Sequence, residues 1–61
     1  MEVIEIKHND KIYKIKRDII IHVLLKITEK DYSNESNMII LKVMKKYRLM
    51  DEMTLESMQI I

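Results

Sequence analysis

Two histidines, three serines and one spaced pair of glutamates are the residues of this 61-residue chain whose types could do chemistry. Nucleophilic catalysis needs Ser, Thr or Cys held beside a positioned base. Cysteine is absent, and Ser33, Ser36 and Ser57 fall where loop or cap roles account for them. His8 adjoins a turn, and His22 lies on the polar side of a helix. Neither is spaced to serve a nucleophile, so the expectation is a protein that is not an enzyme. For a metal, the sequence offers His8 with Asp10, or Glu52 with Glu56 at i, i+4. Such pairs lack the further ligands that a zinc or calcium site requires. No metal and no cofactor is expected.

The cations are more informative. Residues 7–17 carry Lys7, Lys11, Lys14, Lys16 and Arg17 against Asp10 alone. Residues 42–48 carry Lys42, Lys45, Lys46 and Arg48 with no acid, while beyond Leu49 the only charges are Asp51, Glu52 and Glu56. The net charge of +1 hides this asymmetry. These nine cations are candidate contacts for a small anionic ligand or a nucleic acid, where they would displace counterions from phosphates. In a dimer, an exposed strand face could enter the major groove. The plainer alternatives are a solvated lysine face that discourages edge pairing and basic zones that pair with the acidic end of another subunit.

Neither glycine nor proline occurs, so Asn, Asp and Ser must make every turn that positions these residues. Asn9-Asp10 is the first candidate, because both types tolerate the left-handed region. A two-residue hairpin turn there pairs residues whose numbers sum to 19. Ile4 then faces Ile15 and Ile6 faces Tyr13 on one side, while Glu5 faces Lys14 on the other. One register satisfies both faces, and a slip by one residue would lose both. The hairpin is expected over residues 2–16, with an outer face of Glu5, Lys7, Lys14 and Lys16 interleaved with Val3 and Ile12.

Asp18 is the expected N-cap of a helix over about 19–30. The run Ile19–Ile27 holds seven apolar side chains in nine positions. Ile20, Val23, Leu24 and Ile27 follow the i, i+3, i+4, i+7 rule, and Ile21, Leu25 and Tyr32 widen the stripe. Ile19, His22, Lys26 and Glu29 form the narrow polar side. The run's β-branched residues also fit a third strand, but its length favours the helix. One hairpin and one helix cover little of so broad a stripe, which points to a second copy or another protein.

Asp31 to Asn37 reads as a loop. Ser33, Asn34 or Ser36 could cap the next helix, and Glu35 suits its first turn. That helix is expected over about 35–60, with Ile40, Val43, Met44 and Tyr47 on one face and Lys42, Lys45 and Lys46 opposite. Leu49 and Met53 then fall on the lysine side. Either Asp51 caps a short third helix after a break, or the far face meets another subunit. The expectation is one long helix kinked near Asp51. Methionine suits adaptable binding surfaces, so Met50, Met53 and Met58 join Ile20, Ile21, Leu24 and Leu25 as the candidate oligomer or partner interface. Met44, in phase with Ile40, reads as core. The terminal Ile60-Ile61 invites burial.

Whole-chain properties bound what these elements can be. A single small domain of this length is marginally stable alone, and without cysteine it has no disulfide to support it. Apolar residues at 48% and charged residues at 34% describe a folded domain rather than a disordered one. No apolar run approaches the ~20 residues that cross a bilayer. Glu2 and Glu5 stand where a signal peptide would be basic and then apolar. A cytoplasmic protein without membrane association is expected. Twelve isoleucines and nine lysines, both with AT-rich codons, fit a low-GC bacterium or its phage.

The sequence therefore predicts an α+β fold: an N-terminal β-hairpin, then two helices that form an oligomer core. Its expected function is that of a small homo-oligomeric binding protein that inhibits or modulates a partner protein. The alternatives are a dimeric nucleic-acid-binding transcriptional regulator and an oligomeric sponge for a small anionic ligand such as a nucleotide.

Overall fold

The computed structural model describes residues 2–59. Its elements run β1 Val3–His8, β2 Lys11–Lys16, α1 Arg17–Thr28, α2 Asn37–Lys46 and α3 Glu52–Met58. The class is α+β, with one antiparallel two-stranded sheet followed by three helices.

The hairpin has the register read from its side chains: Ile4 pairs with Ile15, Glu5 with Lys14 and Ile6 with Tyr13. Asn9 and Asp10 both take positive φ, at 49° and 65°. That is the type I′ pattern, whose twist matches the flanking strands. The pairing continues past the strand ends, because the Arg17 N–H donates to the Glu2 carbonyl at 2.9 Å.

This extra rung moves the first helix. α1 begins at Arg17 rather than Ile19, and Lys16 occupies the N-cap without a side-chain cap bond. Asp18 is corrected from N-cap to first-turn acid, where it still complements the helix dipole. The helix ends at Thr28 rather than Lys30. Glu29 turns left-handed at φ 60° and donates its N–H to the Leu25 carbonyl. The chain then folds back through an Asx turn at Asp31, whose carboxylate accepts from the Ser33 N–H at 2.9 Å.

The helix expected over about 35–60, kinked or broken near Asp51, is broken there into two. Ser36 is the N-cap of α2 and accepts from the Ile39 N–H. Glu35 lies before the cap, not in the first turn. At the other end Arg48 takes φ 59°. The Arg48 N–H donates to the Lys45 carbonyl, and the Leu49 N–H to the Met44 carbonyl at 2.8 Å. This paired 5→2 and 6→1 closure is the Schellman motif, here built on arginine in place of glycine. Asp51 then caps α3, its carboxylate accepting from both the N–H and the hydroxyl of Thr54 at 2.9 Å. The break removes the phase conflict of Leu49 and Met53.

The core is drawn from every element. Ile4, Ile6, Tyr13 and Ile15 come from the hairpin, Ile20 and Leu24 from α1, and Tyr32 from the loop. Ile40 and Met44 come from α2, and Leu55 and Met58 from α3. No polar or charged side chain is buried among the described residues. Each fully buried aliphatic side chain contributes about 1.5–3 kcal/mol through removal from water. The expected burial of Ile60-Ile61 lies outside the described residues.

Candidate interaction surface

The polar side chains gather at three places, and the first two alter a sequence assignment. The first is the junction of β2 and α1. The Arg17 Nε donates to Asn37 Oδ1 at 2.9 Å, Nη1 donates to the Ser33 carbonyl at 3.3 Å, and Nη2 donates to the Glu35 carbonyl. Glu2 lies 3.8 Å from the same Nε and also accepts from Asn37 Nδ2 at 2.8 Å. The Arg17 side chain is only 15% exposed. It is therefore a clamp that fixes the hairpin, the loop and the start of α2 to one another. Arg17 is corrected from anion contact to structural residue, because each of its three nitrogens already donates within the chain. Glu2 and Asn37, its partners, carried no signal along the chain; they meet only when the fold closes.

The second place is the turn end of the hairpin, where α3 lies against β2. Lys11 Nζ sits 3.3 Å from Glu52 and 3.8 Å from Glu56. The i, i+4 glutamates thus flank an ammonium ion. The hydrogen bond to Glu52, then the charges of Glu52, Tyr13 and Glu56, hold the Lys11 ammonium above its usual pKa. Burial pushes the neighbouring Tyr13 phenol up, and Glu52 adds to the effect. All three ionic partners are largely exposed, so this is a surface pair of small energetic weight. No group of three or more His, Asp or Glu residues converges among the described residues.

The third is the remaining basic surface. Lys7, Lys14, Lys42, Lys45, Lys46 and Arg48 are exposed, and Lys16 is half-buried. Lys7 and Lys14 share the outer hairpin face with Glu5, Val3 and Ile12, which is 60% exposed.

The apolar candidates divide sharply. Ile20, Leu24 and Met58 are corrected from interface to core, since the hairpin and the other helices cover them. Ile21 and Met50 are half-buried against that core. Leu25 stays exposed, and Met53 is 83% exposed. Two residues expected inside are not. Ile27 is 46% exposed in the last turn of α1, beyond Leu24, its last fully buried position. Tyr47, the C-cap of α2, is 41% exposed.

The chain matches no family model, no curated protein and no solved structure.

One apolar row remains on α2. Ile39, Val43 and Tyr47 follow at i, i+4, i+8, so they lie along one side of the helix. Ile39 and Tyr47 are exposed and Val43 is half-buried. Lys42 and Lys46 flank the row, and the Lys46 ammonium stands 5.8 Å from the Tyr47 ring centroid. An aromatic and two β-branched side chains rimmed by lysine make a surface suited to an apolar patch bordered by acids. No helix is long and apolar enough to cross a membrane among the described residues.

Proposed function

We propose that this chain is a small, non-enzymatic cytoplasmic binding protein, encoded by a phage or similar element, that modulates a partner protein through α2. The observation that carries this reading is the exposed row Ile39–Val43–Tyr47 with its lysine rim. The row persists although eleven apolar side chains are buried elsewhere among the described residues. Aromatic and aliphatic anchors of this kind supply most of the energy at protein interfaces, and a charged rim steers encounter.

The test is capture of a stoichiometric partner by the native chain, repeated with Ile39→Lys and Tyr47→Ala. Both positions are exposed, so the variants keep the native thermal melt. Loss of the same captured protein supports the reading. Capture that survives both substitutions, or no stoichiometric partner at all, rejects it.

A nucleic-acid reading keeps Lys7 and Lys14 on the open face of the hairpin, with Lys16 at its edge. It requires affinity for duplex DNA or RNA that falls steeply with salt, and a shallower slope in Lys14→Glu. The anion-sponge reading is weakened at Arg17, each of whose three nitrogens donates within the chain.

A further inference from the structure

Among the described residues the sheet has two strands, so each has an outer edge without a neighbouring strand. The hydrogen-bonding phase fixes which backbone groups point outward. A two-residue turn makes His8 and Lys11 the closing hydrogen-bonded pair. The bond from Arg17 N–H to the Glu2 carbonyl shows the same phase at the opposite end. Even-numbered residues of β1 therefore bond to β2. The N–H and C=O groups of Val3, Glu5 and Lys7 face away from it, and none of them has a hydrogen-bond partner within the chain among the described residues. α1 and α3 make their closest approaches to the hairpin along β2. Edge strands are commonly guarded by lysines, a proline, a bulge or an inward-pointing charge, and of these β1 carries Lys7, whose charge an opposing Glu5 can offset. β1 has no proline, its register runs unbroken from Val3 to His8, and its inward side chains include Ile4 and Ile6.

We infer that β1 pairs antiparallel with β1 of a second copy of this chain, giving a four-stranded sheet across a two-fold axis at Ile6. Charge selects this register. Only residues with outward backbone groups can form the hydrogen-bonded pairs, which limits the choices to shifts of two. Centring on Glu5 opposes Glu5 to its own copy, and centring on Lys7 opposes lysine to lysine. Centring on Ile4 pairs Glu5 with Val3. Centring on Ile6 places Glu5 opposite Lys7 of the second copy, twice by symmetry. It also sets Ile6, already buried in its own chain, beside Ile6 of the second copy on the inner face. The corresponding edge of β2 presents Ile12, Lys14 and Lys16, and its central antiparallel pairing opposes lysine to lysine. The contact leaves the α2 row free, so it stands independently of the partner-binding reading.

The chain has no cysteine of its own, which permits a register-specific test. Glu5→Cys and Lys7→Cys chains are mixed in a thiol-disulfide buffer. In a hydrogen-bonded pair the two Cα atoms lie about 5.5 Å apart, within disulfide reach. The mixture is expected to give a mixed disulfide dimer, and neither variant alone a comparable yield, because like positions are two residues out of step. In sedimentation equilibrium the native chain should self-associate. Lys7→Glu should weaken that association about tenfold through two reversed cross-strand pairs, while Ile39→Lys should leave it unchanged. Lys7 faces Ile12 within its own hairpin, so its replacement spares every intrachain ion pair. A native chain that stays monomeric at millimolar concentration overturns the inference. So does a dimer indifferent to Lys7→Glu, or equal disulfide yield from Glu5→Cys alone. Should Lys7→Glu fail to fold, the disulfide yields decide.

Discussion

Arg17 donates to one side chain and two carbonyls from the segment between α1 and α2, and it lies against Glu2 at the start of the chain. A planar guanidinium can serve these directions at once, whereas an ammonium cannot. Replacement by Ala strips partners from the loop carbonyls in a part-buried setting and should cost about 2 kcal/mol. Arg17→Lys should recover little of that loss. Urea unfolding followed by circular dichroism measures both. An anion-binding arginine on the surface would show almost no stability change. Nothing in the local sequence separates Arg17 from Lys16 beside it, since the distinction lies in Glu2, Ser33, Glu35 and Asn37, which are distant along the chain.

At the scale of elements, the ends decide more than the interiors. α2 stops because Arg48 enters the left-handed region, where a Cβ crowds the following carbonyl. Arg48→Gly removes that crowding and should raise stability by about 0.5–1 kcal/mol despite glycine's greater freedom when unfolded. Thermal melts of the two proteins check this. A drop in melting temperature would argue that Arg48 makes a contact of its own. α3 starts because Asp51 caps it, and the two hydrogen bonds from Thr54 hold its carboxyl below the usual carboxylate range. The folded pKa is thus lower than the unfolded value near 3.8. The cap's contribution is complete above that value and is lost as pH falls through the folded pKa. Asp31, held down by the Ser33 N–H, acts in the same direction. Melting temperature should therefore fall with acidification between about pH 5 and pH 2. Asp51→Asn, which caps without titrating, should show a shallower fall. These end signals were partly legible: Asp51 and Ser36 are cap types in cap positions. Glu29 and Arg48 were not, because neither type advertises positive φ.

For the whole molecule, the decisive quantity is how much apolar surface so short a chain can enclose. Ile20 and Leu24 are fully buried, in one cluster with side chains of the hairpin, α2 and α3. Leu25, one residue on, remains exposed. Leu24→Ala should cost about 2–5 kcal/mol, which removes most of the stability of a domain this small. Leu25→Ala should stay within about 0.5 kcal/mol. Denaturant midpoints of the pair separate a helix whose buried face is its own core from one held by an oligomer. If Leu25→Ala destabilised the chain comparably, the broad apolar stripe would be an interface after all.

The hairpin and its register were fixed by the sequence alone. Period-two alternation, a turn with one suitable residue pair and a matched Glu5–Lys14 pair admit a single alignment, all within sixteen residues. The existence of α1 and α2 followed from the 3.6-residue rhythm of their apolar side chains. The split of α2 from α3, the burial of Leu55 and the ring of partners about Arg17 did not follow. A helical stripe records which side chains prefer to leave water, but the depth to which each is buried depends on what covers it. That cover comes from β2 and α2 meeting α1 at long range, so only the closed structure decided which of Ile20, Leu24, Leu25 and Ile27 became core and which became surface.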